Sequence, residues 1–366
     1  MNTTLPTGDS IRETRLADAN HLPPPPVANI IEAPEPAQWN EYVARHSAGS
    51  ILHHAEWAQV YAAYRLPVLR LAAERNGQLV GVLPLVWQKS LLFGNQLVSL
   101  PWFDAAGVLA DDEAVRDQLI AAARSAALSR GNATVQLRQI EPVTLSCPVR
   151  TDKVLMRLKL EPDPDALWNR LSAKVRNQVR KGQKSDLIVE RGGRELLSDF
   201  YEVYSTNMRD LGSPSHHRRL FETVFDGLGE FCRIHVTRHE GRAVGAGFTI
   251  ANGPHLEIPW ASSLREFNGK CVNHVMYWEV LAAACRDGFT WFHFGRSSRD
   301  SGTYHFKKQW GAEEVQLYWY LLSQGGDPEA AIPQPQESYG WATRVWQRLP
   351  LSMARVLGPH LIAKIP

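Results

Sequence analysis

The chain has 366 residues, 44% of them hydrophobic and 21% charged, with a formal net charge of +2. That is the composition of a globular protein with room for two domains. The charge is too small for a surface-wide nucleic-acid footprint, so DNA is not an expected partner.

Residues 1–28, ending in Pro23-Pro-Pro-Pro26, read as a flexible Pro-rich arm with no secretory signal, and a cytoplasmic location is the expectation. No later run approaches the about 18 uninterrupted apolar residues of a membrane-spanning helix. From there the chain carries two copies of one pattern. Asn76-Gly-Gln-Leu-Val-Gly81 is matched by Glu240-Gly-Arg-Ala-Val-Gly245, and Leu100-Pro-Trp102 by Ile258-Pro-Trp260. An Ala-rich helix then ends at Gly131 in the first copy and at Gly288 in the second. The landmarks are offset by 164 (Gly77 to Gly241), 158 (Pro101 to Pro259) and 157 (Gly131 to Gly288) positions, which predicts a duplicated domain, not a stacked array.

Each copy predicts a hairpin, a further strand, a helix and another strand. The hairpin turns are Arg75-Asn-Gly-Gln78 and His239-Glu-Gly-Arg242, and the helices span 113–130 and about 272–287. Strand, helix, strand in that order implies an α/β fold of mixed sheets with right-handed crossovers. The expected boundaries are an arm at 1–28, an N-terminal domain at 29–160, a C-terminal domain at 161–325 and a basic amphipathic tail at 326–366.

Between the copies, residues 167–184 predict one helix with Trp168, Leu171, Val175 and Val179 on an apolar stripe and Gly182 near its end. Arg176, Arg180, Lys181 and Lys184 are then either a solvated basic face or an anion-gripping wall of a cleft. Phe200 to His216, with Asn207, reads as a helix breaking into a Gly/Ser/Pro loop.

In the second copy the strand beginning at Thr290 is expected to stop at Gly295 and hand over to a loop rich in cations and hydroxyls, Arg296 to Lys308. It reads either as a solvated turn and edge strand or as a site for an anionic or acyl substrate. Four scattered cysteines, Cys147, Cys232, Cys271 and Cys285, predict buried thiols in a reducing compartment. The histidine pairs His53-His54 and His216-His217 are adjacent and make no chelating i, i+4 pair, so no metal site is expected. No phosphate-binding loop or nucleophile elbow is present.

Arg176-Asn-Gln-Val-Arg-Lys181, Asn207-Met-Arg-Asp-Leu-Gly-Ser-Pro214, Phe294-Gly-Arg-Ser297 and Gly302-Thr-Tyr-His-Phe-Lys-Lys-Gln-Trp-Gly311 occur in an order that resembles the Fem-type transferases, over roughly residues 35–325. The resemblance is strongest to the subgroup associated with PEP-CTERM/exosortase and exopolysaccharide clusters. It implies two tandem GNAT-like acyltransferase domains. It also implies transfer of an acyl or aminoacyl group to an amine of a cell-envelope or exopolysaccharide precursor, a saccharide or a lipid-linked molecule. The catalytic lysine it implies is Lys307. Peptidoglycan-branching members draw on aminoacyl-tRNA. This chain shows no long helical hairpin in its second domain, which leaves the donor between aminoacyl-tRNA, tRNA then being a partner only as donor, and acyl-CoA. No tightly bound cofactor is expected.

Acyl transfer to an amine passes through an oxyanion, and Lys307, with Arg296 as a second anion contact, suits that charge. Ser297, Tyr304, Thr303 and Lys308 are candidates to orient the acceptor, alongside Arg176, Arg180, Asn207 and Trp260. Asp104, in Pro101-Trp-Phe-Asp-Ala-Ala-Gly107, is the candidate base, or else a turn residue. Glu266-Phe-Asn-Gly-Lys-Cys271 puts a carboxylate where a pyrophosphate loop would begin, which argues against conventional CoA binding. An acetyl-CoA-dependent N- or O-acetyltransferase and a non-catalytic assembly factor in polysaccharide export are the alternatives. The tail after Tyr339 contains no acid and carries Arg344, Arg348, Arg355 and Lys364. It is expected either to pack on the second domain or to touch the inner face of the membrane peripherally.

Overall fold

The computed structural model describes residues 27–90, 93–131, 133–323 and 340–366. The arm expected over 1–28 lies outside these residues except for its last two, and the tail is described from Gly340.

The first half begins with β1 (Asn29–Glu32), α1 (Pro36–Arg45) and α2 (Trp57–Ala62). A hairpin of β2 (Val68–Arg75) and β3 (Gln78–Ser90) follows, then β4 (Gly94–Val98), the short β5 (Leu109–Ala110), α3 (Glu113–Ser129) and β6 (Thr134–Gln139). Asp112 starts α3 by accepting the Val115 amide at 2.8 Å. Next come β7 (Val149–Arg150), β8 (Lys153–Lys159), α4 (Pro164–Arg170) and α5 (Ala173–Gln183). The second half runs through β9 (Leu187–Gly192), α6 (Leu197–Leu211), α7 (Arg218–Leu228) and the hairpin β10 (Cys232–His239) and β11 (Arg242–Asn252). It continues with β12 (His255–Ser263), α8 (Val272–Arg286), β13 (Trp291–Ser298), α9 (Gly302–Lys308), β14 (Glu313–Gln316) and β15 (Tyr318–Leu322). Two helices close the chain, α10 (Gly340–Gln347) and α11 (Leu351–Ile362).

The duplication is visible in the backbone. Both hairpins turn through two residues of positive φ, Asn76 and Gly77 at 51° and 78°, Glu240 and Gly241 at 50° and 79°. Both carry a register shift at the same place, between Ala73 and Glu74 in one and Thr237 and Arg238 in the other. The glycines Gly81 and Gly245 do the same job in each copy. A Cβ on Gly81 would sit 2.6 Å from Val115 of α3, and one on Gly245 would sit 2.4 Å from Val272 of α8. Each helix therefore packs directly onto strand backbone. In each copy the strands flanking that helix, β4 with β6 and β12 with β13, are parallel, as a right-handed crossover requires.

The two sheets exchange strands. One has the order β1-β2-β3-β4-β6-β15-β7, and the other β14-β8-β13-β12-β11-β10-β9. The boundary expected at 160/161 does not separate them. β8, from the first half, pairs with β13, and β15, from the far end of the second half, pairs with β6. Short strands encode no partner in their own residues, so the exchange had no local signal.

Two further expectations are corrected. The helix predicted over 167–184 is two helices, because Leu171 is extended (φ −63°, ψ 146°) and Ser172 caps a new start by accepting the Val175 amide. The loop expected after Gly295 is instead a continuation of β13 to Ser298, followed by α9 with Ser301 as its cap. The core between the sheets joins Trp57, Tyr61 and Phe103 of the first half to Phe200, Phe221 and Phe248 of the second in one buried cluster. Among the described residues no helix is long and apolar enough to cross a membrane. Cys232, Cys271 and Cys285 are buried, Cys147 is half-buried, and all four are free thiols.

Candidate active site

A cavity of about 430 Å³ opens between the two halves. Its walls include Trp102, Phe103 and Asp104 from the turn after β4, Glu257 and Trp260 from β12, His293 and Arg296 from β13, and Lys307 from α9. The strand ends position these groups, and the irregularity of β13 aims them. Its register against β8 shifts between His293 and Arg296, where Gly295 adopts φ 76°. That turns the carbonyls of Gly295 and Arg296 toward α9.

Lys307 is buried, at 8% exposure. Its ammonium donates to Gly295 O at 2.9 Å and Arg296 O at 2.8 Å. Two of three N–H groups are thus fixed by backbone, and the third is left for the cavity. Burial pushes its pKa down to about 8, with Asp104 opposing and Arg296 reinforcing that shift. Asp104 accepts the Arg296 amide at 2.8 Å and its guanidinium at 3.0 Å. The backbone around it is held as firmly. Its own carbonyl accepts from the Trp319 indole at 3.1 Å, and Phe103 O accepts from the buried Arg138 at 2.8 Å. The guanidiniums of Arg138 and Arg296 lie 4.2 Å and 5.3 Å from the Trp319 ring. Asp104 and Arg296 therefore form a clamp joining the halves across the cavity floor.

Glu257 went unnoticed in the sequence. It is half-buried in the cavity, and burial raises its pKa to about 8, with the Asp104 charge adding to the rise and a hydrogen bond from Asn252 opposing it. His255 and His293 stand beside it on neighbouring strands, Nδ1 and Nε2 3.0 Å apart. Burial lowers both, His293 to about 3, so one neutral ring donates to the other. A signal existed in the alternation of β12: Leu256 and Ile258 are buried, while His255, Glu257 and Pro259 face the cavity. The one carboxylate of this strand, two residues before Pro259 and on the cavity-facing side, marks the site.

Of the residues singled out in the sequence, Lys307, Asp104, Arg296 and Trp260 meet at this cavity. Trp260 forms its aromatic wall, edge-on to Phe103 at 5.8 Å. The others are placed elsewhere. Arg176 reaches back to cap α4, donating to Leu171 O at 2.6 Å, and Arg180 stacks on Trp168 at 5.3 Å. Asn207 ties α6 to β12 through Ser262 at 3.2 Å. Ser297 points away from the cavity, its buried hydroxyl without a partner among the described residues. Tyr304 donates to Glu314, which Lys308 and Arg299 also bind on the outer surface. The break at Leu171 accounts for the placement of Arg176 and Arg180, and the alternation of β13 for that of Ser297.

The segment where a pyrophosphate loop would lie is occupied from within. Cys271, at positive φ before α8, donates its thiol to Gln178 of α5 at 2.8 Å, and Glu266 pairs with Arg242 at 2.7 Å.

Residues 169–308 match the model of an acetyltransferase (GNAT) domain. The crystal structure of FemX superposes with a TM-score of 0.64 at 16% identity, over 81% of this chain and 98% of that one. The chain has the Fem-like tandem fold. Two other solved structures are also similar to this chain. The C-terminal domain assigned to a lysylphosphatidylglycerol synthetase of Agrobacterium fabrum gives a TM-score of 0.56 at 13% identity, over 81% and 93% of the two chains. L-PGS from Bacillus licheniformis gives 0.53 at 13% identity, over 86% and 98%. No curated protein matches the sequence.

Proposed function

We propose that this chain transfers an acyl or aminoacyl group to an amine of a cell-envelope or exopolysaccharide precursor. The setting is the one implied by the likeness to the PEP-CTERM/exosortase-associated subgroup. The observation that carries this reading is Lys307, a buried ammonium held by two carbonyls with one N–H free toward the cavity.

The chemistry follows from the groups present. The acceptor amine attacks the donor's acyl carbon, and the carbonyl oxygen gains negative charge as the C–N bond forms. Lys307 donates its free N–H to that oxygen in a cavity where solvent screening is weak. The Glu257 carboxylate takes the proton the amine must lose, and as the carbonyl re-forms and the C–O or C–S bond to the donor breaks, that proton passes on to the leaving oxygen or sulfur. Asp104, already bonded twice to Arg296, acts as the clamp that keeps Gly295 and Arg296 aimed at Lys307. Trp260 and Trp102, which both line the cavity, are the aromatic side chains assigned to contact a sugar ring in this reading. The contact of Cys271 with Gln178 argues against CoA seated in the usual loop, and the donor stays between aminoacyl-tRNA and an acyl-CoA held elsewhere.

Lys307→Met keeps the volume of the stem and removes the charge. It is expected to lower kcat by about 100-fold or more while the protein stays folded. Incubating purified protein with radiolabelled aminoacyl-tRNA or acetyl-CoA and precursors from a deletion strain, then weighing the products by mass spectrometry, reads both donor and acceptor. Full activity of the variant, or full complementation of the deletion by it, would overturn the role of Lys307.

A further inference from the structure

The two C-terminal helices are built with their large apolar side chains outward. α11 seats itself through small residues. Ala354 and Gly358 are buried, and a Cβ on Gly358 would come within 2.8 Å of Ser215 O. Arg355 bonds Ser205 at 3.0 Å and pairs with Glu202, fixing the helix to α6. On the opposite face Met353, Val356, Leu357 and Leu361 are 49%, 65%, 42% and 48% exposed, at spacings that share one side of a helix. α10 adds Trp341 and Val345, 67% and 55% exposed. A surface helix of a water-facing protein does the reverse, burying its large residues and showing its polar ones.

Charge says what covers this face. Arg344 and Arg348 lie one and two turns from Trp341 on the same side of the segment, and Lys364 lies one turn beyond Leu361. None of the three is ion-paired among the described residues, and residues 340–366 contain no aspartate or glutamate. An exposed apolar strip with tryptophan at one end and unpaired cations along it fits the interface of an anionic bilayer. A second copy of the same face would bring like charges together. We propose that α10 and α11 form a docking surface for an anionic lipid bilayer.

The dock also bears on the cavity. The Trp102 indole donates to Ile362 O at 3.2 Å and Ile365 O at 3.1 Å, and Trp102 lines the cavity wall. The end of α11 thus abuts the active cleft. If the transferase reading above holds, on which this last step alone rests, docking brings the cleft to an acceptor carried on a lipid.

Co-sedimentation of the full chain with vesicles tests the surface directly. Binding is expected to equimolar phosphatidylglycerol and phosphatidylcholine, and about tenfold weaker to phosphatidylcholine alone. The double variant Val356→Asp with Leu361→Asp is expected to abolish binding and leave the unfolding midpoint unchanged, because both side chains face solvent. Arg344→Gln with Arg348→Gln should weaken binding about tenfold. Absence of binding to the anionic vesicles, undiminished binding by the aspartate variant, or a dimer that this variant dissolves without any vesicle binding would each overturn the proposal. Because the readout needs no turnover, it is independent of whether transferase activity is found.

Discussion

Lys307 and Glu257 titrate against their habits, one pushed down to about 8 and the other up to about 8. The lysine must be charged and the glutamate ionised for the proposed step, so the active form peaks near pH 8 and falls on both sides. A bell-shaped kcat/KM profile is expected, its acid limb from Glu257 and its alkaline limb from Lys307. Glu257→Gln should lower kcat by about 100-fold and remove the acid limb. It should also stabilise the protein. The folded-state pKa of Glu257 lies above the ordinary value of 4.5, so the cost of the buried carboxylate grows as pH rises from there and is complete above about 8. Replacing it should raise stability on the order of 2 kcal/mol at pH 8 and little at pH 4, measured by denaturant titration at both. Asp104 and Arg296 were legible in turn and glycine words and Trp260 in the repeat, whereas Lys307 came through the resemblance to the Fem-type transferases; all four line the cavity. Glu257 was not legible, because a lone acid in a strand shows its meaning only once the strand's two faces are known. For Arg176 and Arg180 helix periodicity alone leaves a solvated face and an anion-gripping wall equally open, because it does not register the extended backbone at Leu171.

The hairpins, crossover helices and the glycine-led approach of helix to strand were readable from periodicity and turn chemistry. That approach gives a sharp expectation at the element scale. The methyl of Gly245→Ala would be built 2.4 Å from Val272 Cγ1, so either the branched Val272 side chain leaves its rotamer or α8 shifts away from β11. A loss of about 2–3 kcal/mol is expected from chemical denaturation. Because β12 and β13, which flank α8, carry Glu257 and His293, the variant should also lose activity beyond its loss of stability. β13 carries an irregularity that its residue pattern does not display. Gly295 marks a kink inside the strand, and its positive φ aims two carbonyls at Lys307 without ending the pairing to β8.

Across the whole molecule, the strand exchange decides what can fold. Residues 29–160 expressed alone would keep β6 but lose β15, leaving Val135 and Leu137 on an open edge, and would carry β8 with no sheet to join. That fragment is expected to be insoluble or to lack a cooperative thermal transition, whereas the full chain should unfold in one transition by circular dichroism. A soluble fragment with a cooperative transition would show that the exchanged strands are dispensable. Separate halves were the natural expectation from the repeat, since a duplicated sequence records its period and not which sheet each short strand enters.

The exchange has a consequence for descent. A tandem duplication can ordinarily be undone, one copy drifting away or being transplanted while the other persists. Here β14 and β15 are separated by Leu317 alone, yet they complete opposite sheets, and Trp319 on β15 holds the backbone of Asp104. With that crossing in place, loss of either half would remove a strand from the other's sheet and a wall from the cleft. The two copies are thereby bound to one another, Lys307 standing in one and Asp104 in the other.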